Sequence, residues 1–432
     1  MADALIVVGA VLALYALVAD RLSRTALTGP MVFTAVGLLI GPELLDLVEL
    51  DLEDAAIETL LNTTLAVVLF VDASHIRVRA LRRGAAIPVR LLAVGFPLLL
   101  VLGGMTATLL FGGISLLAAA AISTILAPTD AALGQAVVTN ERVPIGVRQG
   151  LSAESGLNDG LALPVLFTLI AVSDAELARD PWRVFLEQFV EEVGGGLLAG
   201  LVVGRLARAA ISVARRSPLA PTAEAIGVAT VGGLAAAVGL ASNLGGSILI
   251  GAFVAGLAVA PVLQPVGAGA YEFGEQLVEV LTLLAFVVFG GVMLSEELGN
   301  LDWQIAVYAV LTLAVLRPAA VALSMLRSGS DLRTTLFLGW FGPRGLASIL
   351  FVSTIVSQAP AFDDLDTITS VMTWTVLLSV VAHGLTAWPL ANAYADHCAA
   401  SLDHLGDHPA NQPMAEEALA PRSGAMGVRR RR

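Results

Sequence analysis

The sequence has no lysine, a single cysteine and few charges of either sign. Charged residues make up 14% of the 432 residues and apolar residues 57%, whereas soluble domains average about 25% charged and 45–50% apolar. A soluble protein of this composition could not cover its apolar surface. The many apolar residues also exclude a disordered chain, and the lone Cys398 excludes a disulfide scaffold. The composition is therefore that of a membrane protein.

The absence of lysine also argues against functions that depend on nucleotide binding. All 24 basic residues are arginine, so the Gly-x-x-x-x-Gly-Lys-Ser/Thr motif that binds nucleotide phosphates cannot be completed. We therefore expect neither ATP-driven transport by this chain nor a cofactor. The 36 acidic residues outnumber the basic ones and give a net charge of −12, which argues against nucleic acid as a partner.

Thirteen apolar stretches approach or exceed the roughly 20 residues that a helix needs to cross a bilayer. We therefore predict an all-α polytopic membrane protein with about thirteen transmembrane helices. In chain order the stretches are approximately 4–19, 26–45, 57–74, 86–111, 113–138, 151–172, 188–213, 223–241, 247–262, 275–295, 304–326, 334–358 and 366–393.

The arginines are distributed unevenly among the connections between these stretches. Twenty of the 24 lie in or close to the odd-numbered connections or in the C-terminal tail, and only Arg179 and Arg183 lie in the even-numbered ones. Because cytoplasmic loops retain positive charge, we expect a protein of the cell membrane with its N-terminus outside and its C-terminus in the cytoplasm. Residues 394–432 are expected to form a short, disordered cytoplasmic tail.

The remaining two arginines, Arg317 and Arg344, fall inside predicted helices. A charge at bilayer depth costs on the order of 3 kcal/mol, so such residues need partners or water. Three acidic residues lie at the same depth, namely Asp130 in the fifth stretch and Glu154 and Asp159 in the sixth. These charged groups together indicate a functional site within the membrane.

The sixth stretch places its acids on two neighbouring faces of a helix. Residues four apart share a face, so Glu154 lies above Asn158, and Ser155 lies above Asp159 about 100° away. The oxygens of Ser155 and Asp159 suit a hard cation. The carboxylate and amide of the other pair suit a structural bridge.

Two of the predicted helices are interrupted by proline. Pro128 precedes Asp130 in the fifth stretch, and Pro343 precedes Arg344 in the twelfth. Two broken helices with a charge at each break indicate a transport site near the middle of the membrane. Asp130 can offset the positive helix ends and a buried arginine the negative ones. The offset of seven stretches fits two inverted six-helix repeats joined by one linker helix.

Three motifs carry a resemblance to a known family. They are ESGLNDG at 154–160, APTD at 127–130 and GPRG at 342–345. With them, the chain resembles, over roughly 1–393, the NhaP-type sodium/proton antiporters of the monovalent cation:proton antiporter superfamily. The Asn-Asp pair within ESGLNDG is similar to the electroneutral branch, whereas the electrogenic branch has two adjacent aspartates.

The resemblance implies a domain organisation as well as a fold. Members of this family are homodimers whose thirteen helices form two inverted repeats. Core helices at about 86–172 and 304–393 would carry the ion. They would move against dimerisation helices at about 4–74 and 188–295.

The resemblance also implies a role for each site residue. Asp159 would be the shared cation and proton site, with further oxygens from Ser155 and from the backbone of Thr129. Asp130 would lie nearby and contact the ion through water. In the same scheme Glu154 would form an ion pair with Arg344 and hold Asn158 in place, and Arg317 would offset the helix ends at the crossing.

These roles predict electroneutral exchange of a monovalent cation for a proton, because one carboxylate cannot hold both ions at once. Sodium or lithium is the expected cation. A potassium/proton antiporter of the same architecture and a cation channel remain as alternatives. An intramembrane hydrolase would need a base beside its nucleophile, and Ser155 has no histidine near it in the sequence. We therefore expect a secondary transporter rather than an enzyme.

Overall fold

The computed structural model describes residues 2–22, 27–47, 55–76, 86–130, 133–138, 140–176, 181–263, 266 and 269–400. Within these residues the regular elements are helices. Part of the arginine pattern used above, including Arg179 and the cluster at 77–83, lies outside the described residues, as do residues 401–432 of the predicted tail.

An apolar helix occupies each of the thirteen predicted stretches in the described part of the chain. Eight of these helices are long and apolar enough to cross a membrane, and five shorter apolar helices fill the remaining stretches. The prediction of a multi-pass, all-α membrane protein is confirmed. In order, the helices are α1 (Ala2–Leu22), α2 (Gly29–Ile40), α3 (Ala55–His75), α4 (Ile87–Leu110), α5 (Leu116–Ile125), α6 (Ile145–Glu176), α7 (Val190–Ala214), α8 (Ala223–Asn243), α9 (Ile248–Leu263), α10 (Gly269–Glu297), α11 (Trp303–Ser324), α12a (Leu332–Trp340), α12b (Leu346–Gln358) and α13 (Leu365–Ala400).

The two predicted interruptions are present. Helix α5 ends at Ile125, before Pro128, and a short helix, Gln135–Val138, follows the break. Helix α12 is divided at 341–345, around Pro343. Proline has no N–H to continue the helical hydrogen bonds, so each break leaves backbone groups that need other partners within the membrane.

Helices α4 and α11, which are also seven stretches apart, share a different irregularity. Each contains a widened π turn, at Leu91–Gly95 in α4 and at Thr312–Leu316 in α11. Pro97 and Pro318 lie two residues after these turns. Because proline cannot donate to the carbonyl one turn back, a widened turn fits the sequence at both places.

The helices pack in two groups. The scaffold group consists of α2, α3 and α7–α10, and the crossing group of α4–α6 and α11–α13. Within the scaffold group, glycines bring backbones together. Gly37 of α2 and Gly290 of α10 each lie against the backbone of the other helix, where a side chain would not fit.

Contacts between the groups run mainly from α3 to α6 and α12b, from α10 to α13 and from α9 to α6. Helix α6 contributes two glycines to this boundary. Gly156 faces Asp72 of α3, and Gly160 faces the ring of Phe253 of α9. The helix that carries the predicted ion site therefore lies where the two groups meet.

Helix α13 continues to Ala400, beyond the boundary at 393 that hydropathy predicted, so the start of the predicted tail is helical rather than disordered. The reason is packing against α12a. The Tyr394 ring stacks on Phe337 with 4.0 Å between ring centroids, and its hydroxyl lies 2.7 Å from Oγ1 of Thr334.

Candidate functional site

Glu154 of α6 and Arg317 of α11 form a buried ion pair. Nη1 of Arg317 donates to Oε1 of Glu154 at 2.8 Å, and Nη2 donates to Oε2 at 2.9 Å. Arg317 follows the π turn of α11 directly, and the missing side chain of Gly342 leaves room for its guanidinium. Both side chains are withdrawn from solvent, so this two-pronged geometry offsets the cost of burying the two charges.

This pairing corrects the prediction that Glu154 would bind Arg344. Glu154 was also expected to hold Asn158 in place. Instead, Nδ2 of Asn158 donates to Oγ1 of Thr129 at 2.7 Å. The two arginines have therefore exchanged the roles assigned to them. Arg317 neutralises the carboxylate, and Arg344 offsets a helix end.

Arg344 lies at the break in α12 and is completely buried. Its Nη1 donates to the carbonyl oxygens of Ala127 and Pro128, at 2.7 Å for the latter. These carbonyls follow the end of α5, where the negative end of the helix dipole lies. A permanently charged guanidinium therefore satisfies and neutralises the broken end of α5.

Asp130 makes the reciprocal contact at the start of α12b. Its Oδ2 accepts from the backbone N–H of Leu346 at 2.8 Å, and its own N–H donates to the carbonyl of Pro343 at 2.8 Å. A carboxylate at the N-terminus of a helix offsets the positive end of the dipole. The charge of each broken helix therefore stabilises the other, as predicted for Asp130.

Thr129 joins the α5 break to the two faces of α6. Its carbonyl oxygen accepts from Oγ of Ser155 at 2.5 Å, and its Oγ1 accepts from Asn158. Ser155 and Asn158 lie on the neighbouring faces that helical spacing assigned to them. The structure therefore brings the hydroxyl and carbonyl oxygens of Thr129, the Ser155 hydroxyl and the Asn158 amide nitrogen together at one point of the break.

Asp159 is buried on α6, one turn after Ser155, and is only 7% exposed. It stands between Asn158, which contacts the α5 break, and Gly160, which faces α9 of the scaffold group. The predicted ion-binding carboxylate is thus within the membrane-spanning part and at the boundary between the helix groups.

Three contacts at the crossing involve residues that sequence reasoning did not assign. Ser348 donates to the carbonyl of Ile125 at 2.8 Å, and Ser379 accepts from the backbone N–H of Arg344 at 2.7 Å. His383 lies with Nε2 2.9 Å from the carbonyl of Trp340. The available signal was the four-residue spacing of Ser379 and His383, which places both on one face of α13.

The chain that carries these two interrupted helices has relatives among known proteins. Residues 7–393 match the family model described as sodium/hydrogen exchanger, transmembrane. The chain belongs to this family.

Two relatives match this chain over part of their own length. A probable Na⁺/H⁺ antiporter of Schizosaccharomyces pombe is 28% identical over 334 residues, which cover 73% of this chain and 44% of that protein. The K⁺/H⁺ antiporter NhaP2 of a Shewanella species is 27% identical over 354 residues, which cover 79% of this chain and 59% of that protein. The chain thus spans less than two thirds of the length of either relative.

The fold has a match among solved structures. The sodium proton antiporter MjNhaP1 of Methanocaldococcus jannaschii superposes with a TM-score of 0.71 at 21% identity, covering 91% of this chain and 99% of that one. The chain therefore has the fold of this antiporter.

Proposed function

We propose that this chain exchanges a monovalent cation for a proton across the membrane, with the two ions competing for Asp159. The observation that carries the proposal is the burial of this carboxylate on α6, one turn after Ser155, whose hydroxyl donates to the carbonyl of Thr129. The other charges at the crossing are paired or set against helix ends. A carboxylate cannot hold a proton and a metal ion on the same lone pairs. Competition at one site, exposed alternately to each side, couples the two fluxes.

In this proposal the two helix groups are the parts of the protein that move relative to each other. The crossing group carries Asp159 and is tied together by Arg344, Asp130 and the Glu154–Arg317 pair. The scaffold group has its own glycine-mediated contacts. In our proposal the crossing group moves as a unit against the scaffold group, and the scaffold helices form a homodimer.

The expected stoichiometry is one proton for one cation. Asn158 stands where a second carboxylate would make the exchange electrogenic, and no lysine exists to carry an extra proton. Exchange would then move no net charge. In the cell membrane we expect the N-terminus outside and the C-terminus in the cytoplasm.

Sodium or lithium is the cation we propose, and potassium is a second candidate. The name of the Shewanella relative, a K⁺/H⁺ antiporter, supports keeping potassium. Carboxylate, hydroxyl and carbonyl oxygens bind all three ions, so the ligand types do not separate them.

The test is proton flux in vesicles that contain the purified protein and a pH-sensitive dye. Sodium, lithium and potassium are added in turn across a range of pH, with the membrane potential either clamped at zero or imposed. We expect flux with sodium or lithium that does not depend on the potential. An absence of flux with all three cations would overturn the proposal, and flux that follows the potential would overturn electroneutrality.

A further inference from the structure

The break in α12 exposes backbone groups on both of its sides, and α13 contacts them. The carbonyl of Trp340, the last residue of α12a, lies 2.9 Å from Nε2 of His383. The N–H of Arg344, just before α12b, donates to Oγ of Ser379 at 2.7 Å. Within a membrane such groups need protein partners. One face of α13 therefore spans the break.

The two α13 side chains also contact each other. Nδ1 of His383 lies 3.2 Å from Oγ of Ser379 and 2.9 Å from its carbonyl oxygen. A neutral imidazole has one N–H. With the proton on Nε2, the ring donates to the carbonyl of Trp340 and Nδ1 accepts from the Ser379 hydroxyl; with the proton on Nδ1, the ring donates to the carbonyl of Ser379. In the Nε2–H tautomer, donors and acceptors run in order from Arg344 through Ser379 and His383 to Trp340.

Further contacts fix the same end of α12a. The Trp340 ring stacks on the His383 ring, with centroids 5.0 Å apart and planes inclined by 28°. Nε1 of Trp340 donates to Oγ1 of Thr386 at 3.0 Å. His383 and Ser379 are 1% and 0% exposed, so water does not compete for these bonds.

Arg344 connects these α13 contacts to the proposed ion site. The side chain of Arg344 donates to the carbonyl of Pro128 at 2.7 Å. The next residue, Thr129, accepts from Ser155 and Asn158. A shift of the α12 break would therefore move Thr129 and, through it, the part of α6 that carries Asp159.

We propose that Ser379 and His383 are positioning residues of the ion site. They fix the α12 break and, through Arg344, the end of α5 that precedes Thr129. The inference rests on the proposed function, because its main readout is cation exchange.

The first test compares Ser379→Ala with Thr375→Val. Thr375 lies one turn earlier on α13, is also buried, and donates within its own helix to Val371 at 2.6 Å. Losing one buried hydrogen bond costs about 1–1.5 kcal/mol, and 1.4 kcal/mol is tenfold. We expect Ser379→Ala to raise the apparent KM for the cation about five- to tenfold while the maximal rate changes less than twofold. Thr375→Val should leave both within twofold.

The second test separates positioning from proton carriage at His383. The amide nitrogen of His383→Gln can replace Nε2 as the donor to Trp340, whereas His383→Leu cannot. We expect the glutamine variant to keep a KM near that of the wild type and the same pH profile of exchange, and the leucine variant to raise the KM as Ser379→Ala does. Thermal unfolding of each purified variant identifies any that does not fold.

The outcomes separate the two proposals. Wild-type exchange with an unchanged KM in both Ser379→Ala and His383→Leu would overturn this inference alone. A pH profile displaced equally by the glutamine and leucine variants would also overturn it, because His383 would then carry protons. If the wild type exchanged none of the three cations, the proposed function would fail as well.

Discussion

At the scale of single residues, the two membrane arginines neutralise different kinds of charge. Arg317 meets the carboxylate of Glu154 with two parallel hydrogen bonds, whereas Arg344 meets backbone carbonyls at the end of α5. Arginine suits both tasks because it keeps its charge and presents several donors in a plane. Lysine would supply a single point charge at either place.

The pairing predicts a specific thermodynamic coupling. In a double-mutant cycle, Glu154→Gln and Arg317→Gln should couple by about 1–3 kcal/mol in the free energy of unfolding, because they share two buried bonds. The matched cycle of Glu154→Gln with Arg344→Gln should show a smaller coupling, because these two charges attract each other only through space. Denaturant unfolding of the purified variants in detergent measures both. A larger coupling with Arg344 would contradict the observed pairing.

The sequence was sufficient to select the charged residues of the candidate site but not to pair them. Depth in the membrane and spacing along one helix are readable from hydropathy and periodicity. The lateral neighbours of a helix are not, so Arg317 and Arg344 were equally placed to meet Glu154. The guanidinium of Arg317 lies in the space at Gly342, and this contact between α11 and the α12 break is a tertiary feature.

At the scale of elements, each broken helix depends on the other. Asp130, after the α5 break, caps α12b, and Arg344, at the α12 break, neutralises the end of α5. Prolines in the sequence were enough to predict both breaks. The contribution of α13 could not be predicted in the same way, because the contacts of Ser379 and His383 with α12 need the packed structure.

Close contact between α7 and α9 gives a prediction at this scale. Gly200 is buried where α7 meets the backbone of α9 near Gly251, whereas Gly239 of α8 has open space around it. Gly200→Leu should lower the free energy of unfolding by about 1–3 kcal/mol or more through overpacking. Gly239→Leu should leave it unchanged or raise it by up to about 1 kcal/mol, since leucine favours helices.

Thermal unfolding in detergent, followed by circular dichroism, compares these glycine variants. We expect the wild type and Gly239→Leu to unfold at higher temperatures than Gly200→Leu. Equal midpoints for the two leucine variants would mean that the α7–α9 contact tolerates a side chain, against the observed packing.

At the scale of the whole molecule, the helices divide into a scaffold group and a crossing group, with α6 at their boundary. Apolar stretches in the sequence were enough to predict the number and order of the helices. The division into groups followed from resemblance, since hydropathy does not record which helices touch. Our account places the transported ions at Asp159, on the boundary itself.

The most direct test of that claim compares Asp159→Asn with Glu297→Gln. Both carboxylates are 7% exposed, but Glu297 lies at the end of α10, where it accepts from Ser370 at 2.7 Å. Each change replaces a buried carboxylate with an amide, so the cost of burial is matched. Cation-driven proton flux is measured in vesicles that contain equal amounts of folded protein.

We expect Glu297→Gln to exchange sodium or lithium for protons at a rate within a few-fold of the wild type. Asp159→Asn should fall to the rate of vesicles without protein, because the carboxylate that binds both ions in our proposal is removed, while those of Glu154 and Asp130 are engaged by Arg317 and the start of α12b. Cation-dependent proton flux that persisted in Asp159→Asn would contradict the assignment of both ions to this carboxylate.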